Sequence, residues 1–249
     1  MSSVNIKRLV ENIRSGTNVY TPLAELVVNA IQAIDEKGED NGLVQIEILR
    51  NDQEDMLDRL KGVDGFIVTD NGAGFNQDNR DAFDLLYTEN KIADGGKGFG
   101  RFTCLKYFNQ MSVSSTFFDG EEYHERTFDM GLNTDIIVNE TVNPSVASDS
   151  GSVVKICGIK SVKFHDKKVD TISRVLVERL LPYFMDSDDQ CPDISIRDHN
   201  GDDAPVLLNQ YLGTDGSQIV EIPTSNGAFS FAFVKSVGKI SFNFESRVS

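Results

Sequence analysis

Asp70-Asn71-Gly72-Ala73-Gly74-Phe75 follows directly on the apolar run Phe66-Ile67-Val68-Thr69, so a hydrophobic segment gives way to a carboxylate and then two glycines in three positions. Such a run reads as a buried strand, which delivers Asp70 to the strand's end beside a sharply turning backbone. A carboxylate held there is placed to grip a ligand. Asp-Asn-Gly is also among the strongest hairpin-turn signals, and taken alone the stretch reads equally as a plain turn. The surrounding chain separates the two readings.

Upstream, Thr21-Pro22 reads as an N-cap with proline at the first helical position. Leu23, Leu26, Val27, Ala30, Ile31 and Ile34 then recur at helical spacing, with Glu25, Asn29, Gln32 and Glu36 on the opposite side. A polar helix face is ordinarily just solvated. Asn29, however, is a poor mid-helix residue, and Glu25 lies one turn before it, so the two side chains project together. A carboxylate and an amide so placed can orient a water and ligate a hard cation through oxygen. Leu43 to Arg50 alternates as a half-buried strand, Asn51 to Lys61 reads as a connection or short helix, and Val63 to Thr69 forms the strand that ends at Asp70.

Downstream, the chain is polar and weakly patterned apart from a short helix predicted around Arg80 to Tyr87. It then reaches Gly95-Gly96-Lys97-Gly98-Phe99-Gly100-Arg101. Phe102, Cys104, Leu105 and Phe108 follow at helical spacing, which puts a glycine-rich loop at a helix N-terminus. Free backbone N–H groups and the positive dipole end converge at such a junction and suit an anion. The loop lacks the Gly-Lys-Ser/Thr of a Walker P-loop and the βαβ dinucleotide fingerprint. Lys97 and Arg101 beside the glycines suit a phosphate chain, although cations near a surface loop are common.

Composition bounds the partners. With 24 basic and 39 acidic residues the net charge is −15, which argues against direct nucleic-acid contact or acidic-membrane binding by this segment, though not against a polyanionic nucleotide in a local pocket. Cys104, Cys157 and Cys191 are far apart, and His124, His165 and His199 do not cluster with them. With no secretory signal and no apolar run near membrane length, the chain reads as reduced and cytoplasmic.

Three stretches in this order, Glu25-Leu26-Val27-Val28-Asn29-Ala30, then Asp70 to Phe75, then Gly95 to Gly100, resemble the signature boxes of the GHKL ATPases. A fourth, Ser150-Gly151-Ser152-Val153-Val154-Lys155-Ile156, is similar to that superfamily's late glycine-hydroxyl strand, with serine where threonine is commoner. The resemblance covers about residues 5 to 160. It implies an α+β fold, a two-layer sandwich of a mixed, mostly antiparallel sheet with helices on one face, known as the Bergerat ATP-binding fold. It implies ATP and Mg²⁺ as ligands, with Glu25 as the general base that activates water and Asn29 as the metal-holding residue. It implies Asp70 as acceptor for the adenine amine, Gly72 and Gly74 as close approaches to the base, and Phe75 as packing near it. Asn76 to Asp94 corresponds to an ATP lid, Gly96, Lys97, Gly98, Phe99, Gly100 and Arg101 to the phosphate loop, and Ser152 to a water-mediated adenine contact. Gln32 departs from the acidic residue many members carry. The glycine loop looks nearest to chaperone-like, MutL-like and MORC-like members, and no histidine sits in a phosphoacceptor context.

The remaining chain reads as strands Met111 to Phe118 and Tyr123 to Met130 joined at Asp119-Gly120, strand Ser152 to Cys157, and a helix from Lys168 to about Leu181 that ends or kinks at Pro182. The acidic stretch Asp186 to Asp193 reads as a linker. Strands are predicted at Asp193 to Asp198, Gln218 to Ile222, Phe229 to Lys235 and Lys239 to Phe244. The expected organisation is an ATP-binding domain over residues 1–160 and an incomplete transducer-like α/β segment over 161–249. The function so implied is an ATPase acting as a conformational and dimerisation switch, a nucleotide-dependent homodimer serving a further effector or client. The alternatives are an ATP-sensing interaction module without hydrolysis, and a glycine-rich scaffold without nucleotide.

Overall fold

The computed structural model describes residues 6–13, 16–38, 40–54, 60–84, 100–160, 164–185, 191–211, 218–224 and 227–233. Helices α1 (Ile6–Glu11) and α2 (Tyr20–Lys37) lead into strands β1 (Leu43–Glu54) and β2 (Lys61–Asp70). Then come α3 (Gln77–Asp84), α4 (Gly100–Tyr107), β3 (Phe108–Phe118), β4 (Tyr123–Met130), β5 (Ile137–Pro144) and β6 (Gly151–Ile159). The chain continues through α5 (Val169–Met185), β7 (Asp193–Asp198), β8 (Val206–Leu207), β9 (Gln218–Thr224) and β10 (Gly227–Phe233). The fold is α+β. Eight strands form one mixed sheet in the order β5-β4-β3-β6-β2-β1-β7-β8, in which the β1–β7 pairing is parallel and the others antiparallel.

The period-2 pattern places one face of this sheet in the core. Val44, Ile46 and Ile48 of β1, Phe66 and Val68 of β2, and Val154 and Ile156 of β6 are buried, while Gln45, Val153 and Lys155 on the other face are exposed. The helices cover the first face. Leu23, Leu26, Val27, Ala30, Ile31 and Ile34 of α2 join Phe102 and Leu105 of α4 and Ile172, Leu176 and Leu180 of α5 in one cluster with those strands. Burying a Leu or Ile contributes about 2 kcal/mol, so this stripe stabilises α2 far more than helix propensity does.

Several boundaries differ from the sequence reading. α2 begins at Tyr20 directly after Val19, and its start is held from Asn18 rather than capped by Thr21: the Asn18 side-chain oxygen accepts from Tyr20 N–H (3.1 Å), and Thr21 Oγ1 accepts from Asn18 N–H (3.1 Å). Asn18→Ala is expected to cost about 1 kcal/mol, read as a lower urea midpoint at unchanged slope. α3 starts three residues before the expected helix because Asn76 Oδ1 accepts from Asn79 N–H at 2.8 Å and so caps the turn there. α5 runs through Pro182 to Met185.

The layers also cross the expected division at residue 160. β7 lies beside β1 in register from Leu43↔Asp193 to Ile48↔Asp198, and α5 packs against α2. Without them the open edge of β1 and part of the α2 stripe would lack a partner, which is why the chain continues the first unit through these elements. β9 and β10 pair with each other in a separate two-stranded sheet. The strand predicted at Lys239 to Phe244 and the linker at 186–190 lie outside the described residues. Among the described residues no helix is long and apolar enough to cross a membrane.

Candidate functional site

Asp70 is the last residue of β2, its side chain only 9% exposed at the helix-facing side of the sheet. Its carboxylate accepts from Gly72 N–H (2.9 Å) and from the backbone N–H of Ser152, its partner across the β2–β6 ladder. Burial pushes its pKa up to about 6, against the pull of the two N–H donors and of Lys37. The result is a buried acceptor that is ionised at neutral pH and has little solvation to lose.

The turn after Asp70 needs its glycines. A Cβ on Gly72 would lie 2.5 Å from the Ala33 carbonyl carbon, and Gly74, at φ +77°, would put one 2.2 Å from the Thr116 carbonyl oxygen. Ala73 N–H donates to Ala33 O at 2.8 Å, Lys37 Nζ to Asn71 O at 3.0 Å and Ser150 Oγ to Gly72 O at 2.8 Å. The turn is thereby seated on α2 and pinned from the strand side.

Its seat on α2 relates the sequence boxes to one another. Ala33, Asn29 and Glu25 succeed each other at intervals of four, so they share one helix row, with Asn29 about 6 Å and Glu25 about 12 Å along the axis from the turn. Asn29 and Glu25 are both exposed, although the flanking Leu26, Val27 and Ala30 are buried. The row runs toward α4, which packs on α2. Burial, with the Glu25 charge adding to it, pushes the Cys104 thiol of α4 up to about 12. The fold therefore brings Asp70, the glycine turn, Asn29 and Glu25 along one path.

Other predicted residues are placed differently. Phe75 packs edge-on against Phe83 (5.7 Å) and Phe128 (5.3 Å), so its ring belongs to an aromatic cluster under α3. Arg101 turns toward α3: its guanidinium donates to Ala82 O (3.1 Å) and lies over the Phe83 and Phe102 rings. Burial lowers its pKa to about 10, opposed by Asp84. Gly100 is the first residue of α4, as the glycine-loop reading requires. Gly96, Lys97, Gly98 and Phe99 lie outside the described residues, as do 85–94 of the expected lid. Ser152 is buried with its Oγ 3.0 Å from Ser115 Oγ.

Sequence reasoning missed Ser115, Arg126, Glu36 and Lys37. Glu36 accepts from Asn79 Nδ2 (3.0 Å) and Lys37 holds the turn, so the last turn of α2 anchors both the glycine turn and the start of α3. Position on a helix already of interest could have flagged Glu36 and Lys37, whereas Ser115 on β3 and Arg126 on β4 carry no such signal.

Fold and site define a two-layer α+β sandwich with a buried strand-end carboxylate and a glycine turn seated on the helix that carries Asn29 and Glu25. No family model matches the chain, and no curated protein matches it. Among solved structures it is similar to the ATPase region of topoisomerase II from Saccharomyces cerevisiae, with 14% sequence identity and a TM-score of 0.47, over 70% of this chain and 46% of that one. The chain thus spans about half the length of that structure.

Proposed function

We infer that this chain is a Mg²⁺-dependent ATP-binding module that hydrolyses ATP and couples occupancy to conformation and dimerisation. The observation that carries the reading is the buried Asp70 carboxylate at the end of β2, in a turn seated on the same α2 row as Asn29 and Glu25. An ionised, poorly solvated acceptor suits an aromatic amine, and glycines that admit no Cβ suit the flat approach of a base. Asn29 and Glu25 are oxygen donors exposed on one row, the donor chemistry a hard cation takes. Asn29 would hold Mg²⁺, which when bound neutralises charge on the phosphate oxygens.

In this reading Glu25 orients a water and takes its proton as the oxygen attacks the terminal phosphorus. The bond to the bridging oxygen breaks, and ADP and phosphate leave. The N-terminal end of α4, with the glycines before it, would supply donors to the phosphate chain. The resemblance extends the proposal to a homodimer acting on an effector, and to a transducer-like role within the segment 161–249.

Calorimetric titration with ATP, with and without Mg²⁺, followed by a phosphate-release assay, tests it. Saturable binding that needs Mg²⁺ and is lost in Asp70→Asn is expected, with slow phosphate release. Absence of heat with the wild-type chain at millimolar ATP would refute the reading.

A further inference from the structure

Six polar or charged side chains are buried among the described residues, Asp70, Thr103, Ser115, Arg126, Ser152 and Ser173, and four of them form one row across the sheet. Asp70 on β2 stands opposite Ser152 on β6, Ser152 opposite Ser115 on β3, and Ser115 opposite Arg126 on β4. Burying a serine and an arginine in an otherwise apolar face is unfavourable unless each polar atom is used.

Apart from Arg126 Nε, which is buried without a hydrogen bond, most of them are used on one peptide segment. Ser115 Oγ accepts from Phe75 N–H at 2.8 Å and donates to Gly151 O at 2.9 Å. Arg126 donates to Phe75 O (2.8 Å), Asn76 O (2.7 Å) and Gln77 Oε1 (2.9 Å), with its guanidinium over the Phe117 ring and its Nε 3.3 Å from Glu140. Phe75 is thus held at its N–H by one residue and at its C=O by that residue's cross-strand neighbour. Because the single Ser115 proton goes to Gly151 O, the 3.0 Å contact with Ser152 is made by the Ser152 proton, which leaves the lone pairs of Ser152 Oγ as acceptors beside Asp70.

We propose that Ser115 and Arg126 are positioning residues of the nucleotide site: the pair fixes the Phe75 peptide, and with it the far end of the Asp70–Gly74 turn, and Ser115 sets the hydrogen-bond polarity of Ser152. This rests on the ATP-binding reading above and names two further residues for it. Neither is required to touch the ligand. Their effect is to hold the base-recognising turn at one height above the sheet and to keep two acceptors, Asp70 and Ser152, side by side.

The test compares wild type, Ser115→Ala, Ser115→Thr and Arg126→Lys by Mg-ATP and Mg-GTP calorimetry and by NMR exchange of the Phe75 and Gly72 amides. Ser115→Ala is expected to weaken ATP about tenfold, to erode the preference for ATP over GTP, and to speed Phe75 amide exchange about tenfold. Ser115→Thr, which keeps the hydroxyl, is expected to restore ATP affinity, and Arg126→Lys to behave like Ser115→Ala. Unchanged ATP affinity in both Ser115→Ala and Arg126→Lys overturns the proposal, as does an equal loss for ATP and GTP, which would mark a merely structural role. If the wild-type chain itself binds no nucleotide, the ATP-binding reading fails first, a result distinct from wild-type binding that the variants leave intact.

Discussion

Asp70→Asn is expected to weaken Mg-ATP binding by about a hundredfold or more while changing how the fold's stability depends on pH. The carboxylate accepts two backbone N–H groups, from Gly72 and Ser152, and in the proposed complex a third donor from the base. A carboxamide has one acceptor oxygen and a donor NH₂. Whichever way it turns, a donor faces a donor, either at the backbone or at the ligand, and an unmet buried donor costs about 1–3 kcal/mol. Selectivity of a buried hydrogen-bonding site falls steeply in such a case.

The same substitution reports on the buried charge. Burial raises the Asp70 pKa from an ordinary 3.8 to about 6. Between those values the folded protein binds more protons at this site than the unfolded chain, so stability contributed by Asp70 falls as pH rises from about 4 to about 6. The total is about 3 kcal/mol. Asparagine does not titrate, and the other carboxylates are common to both proteins. Urea unfolding at several pH values between 4 and 7 is therefore expected to show the wild type gaining about 3 kcal/mol on Asp70→Asn toward the acid end. The offset at pH 7 combines a removed charge with a donor clash and carries no sign, but the slope does. Parallel curves would mean that Asp70 is not a buried carboxyl of raised pKa.

Glu25→Ala is expected to leave ATP affinity within about threefold and to lower phosphate release by about 10²–10⁴-fold, the range a positioned general base contributes. Glu25→Gln keeps the size and polarity of the side chain without the base and is expected to match Glu25→Ala in turnover. Single-turnover phosphate release alongside calorimetry separates the readings. Wild-type binding with no release, and no difference on removing Glu25, would establish an ATP-sensing module in place of an ATPase.

Much of this architecture is local chemistry and is therefore legible in the chain. The alternation of Val44, Ile46 and Ile48 and the 3.6-residue stripe of α2 announce which faces are buried, because burial period follows backbone geometry. Asp70 and its two glycines mark a tight turn at a strand end because few residues admit a positive φ or a 2.5 Å backbone approach. Gly100 marks the entry to α4 for a different local reason, a glycine loop followed by Phe102 and Leu105 at helical spacing. Helix starts were harder to read: Asn18 and Asn76 displaced the expected beginnings of α2 and α3, since a helix start is held by whichever side chain reaches an N–H in three dimensions.

Pairing across long separations was not legible. Nothing local says that β7 inserts beside β1 in parallel, some 150 positions along the chain, or that β6 comes between β2 and β3. Those placements bring Ser152 next to Asp70, set Ser115 against Ser152, and put Arg126 on Phe75. A serine in a strand and an arginine four residues after a turn look like ordinary surface residues until the register aligns them on the buried face. The turn's residue types and the helix row of Glu25 and Asn29 thus belong to the sequence alone, because propensity and periodicity act over a few residues, whereas the two-layer class was legible only through the resemblance of those boxes to a known superfamily. The polar row that supports the turn belongs to the tertiary structure, because it exists only where β2, β6 and the β3–β4 hairpin, distant in sequence from one another, share one register.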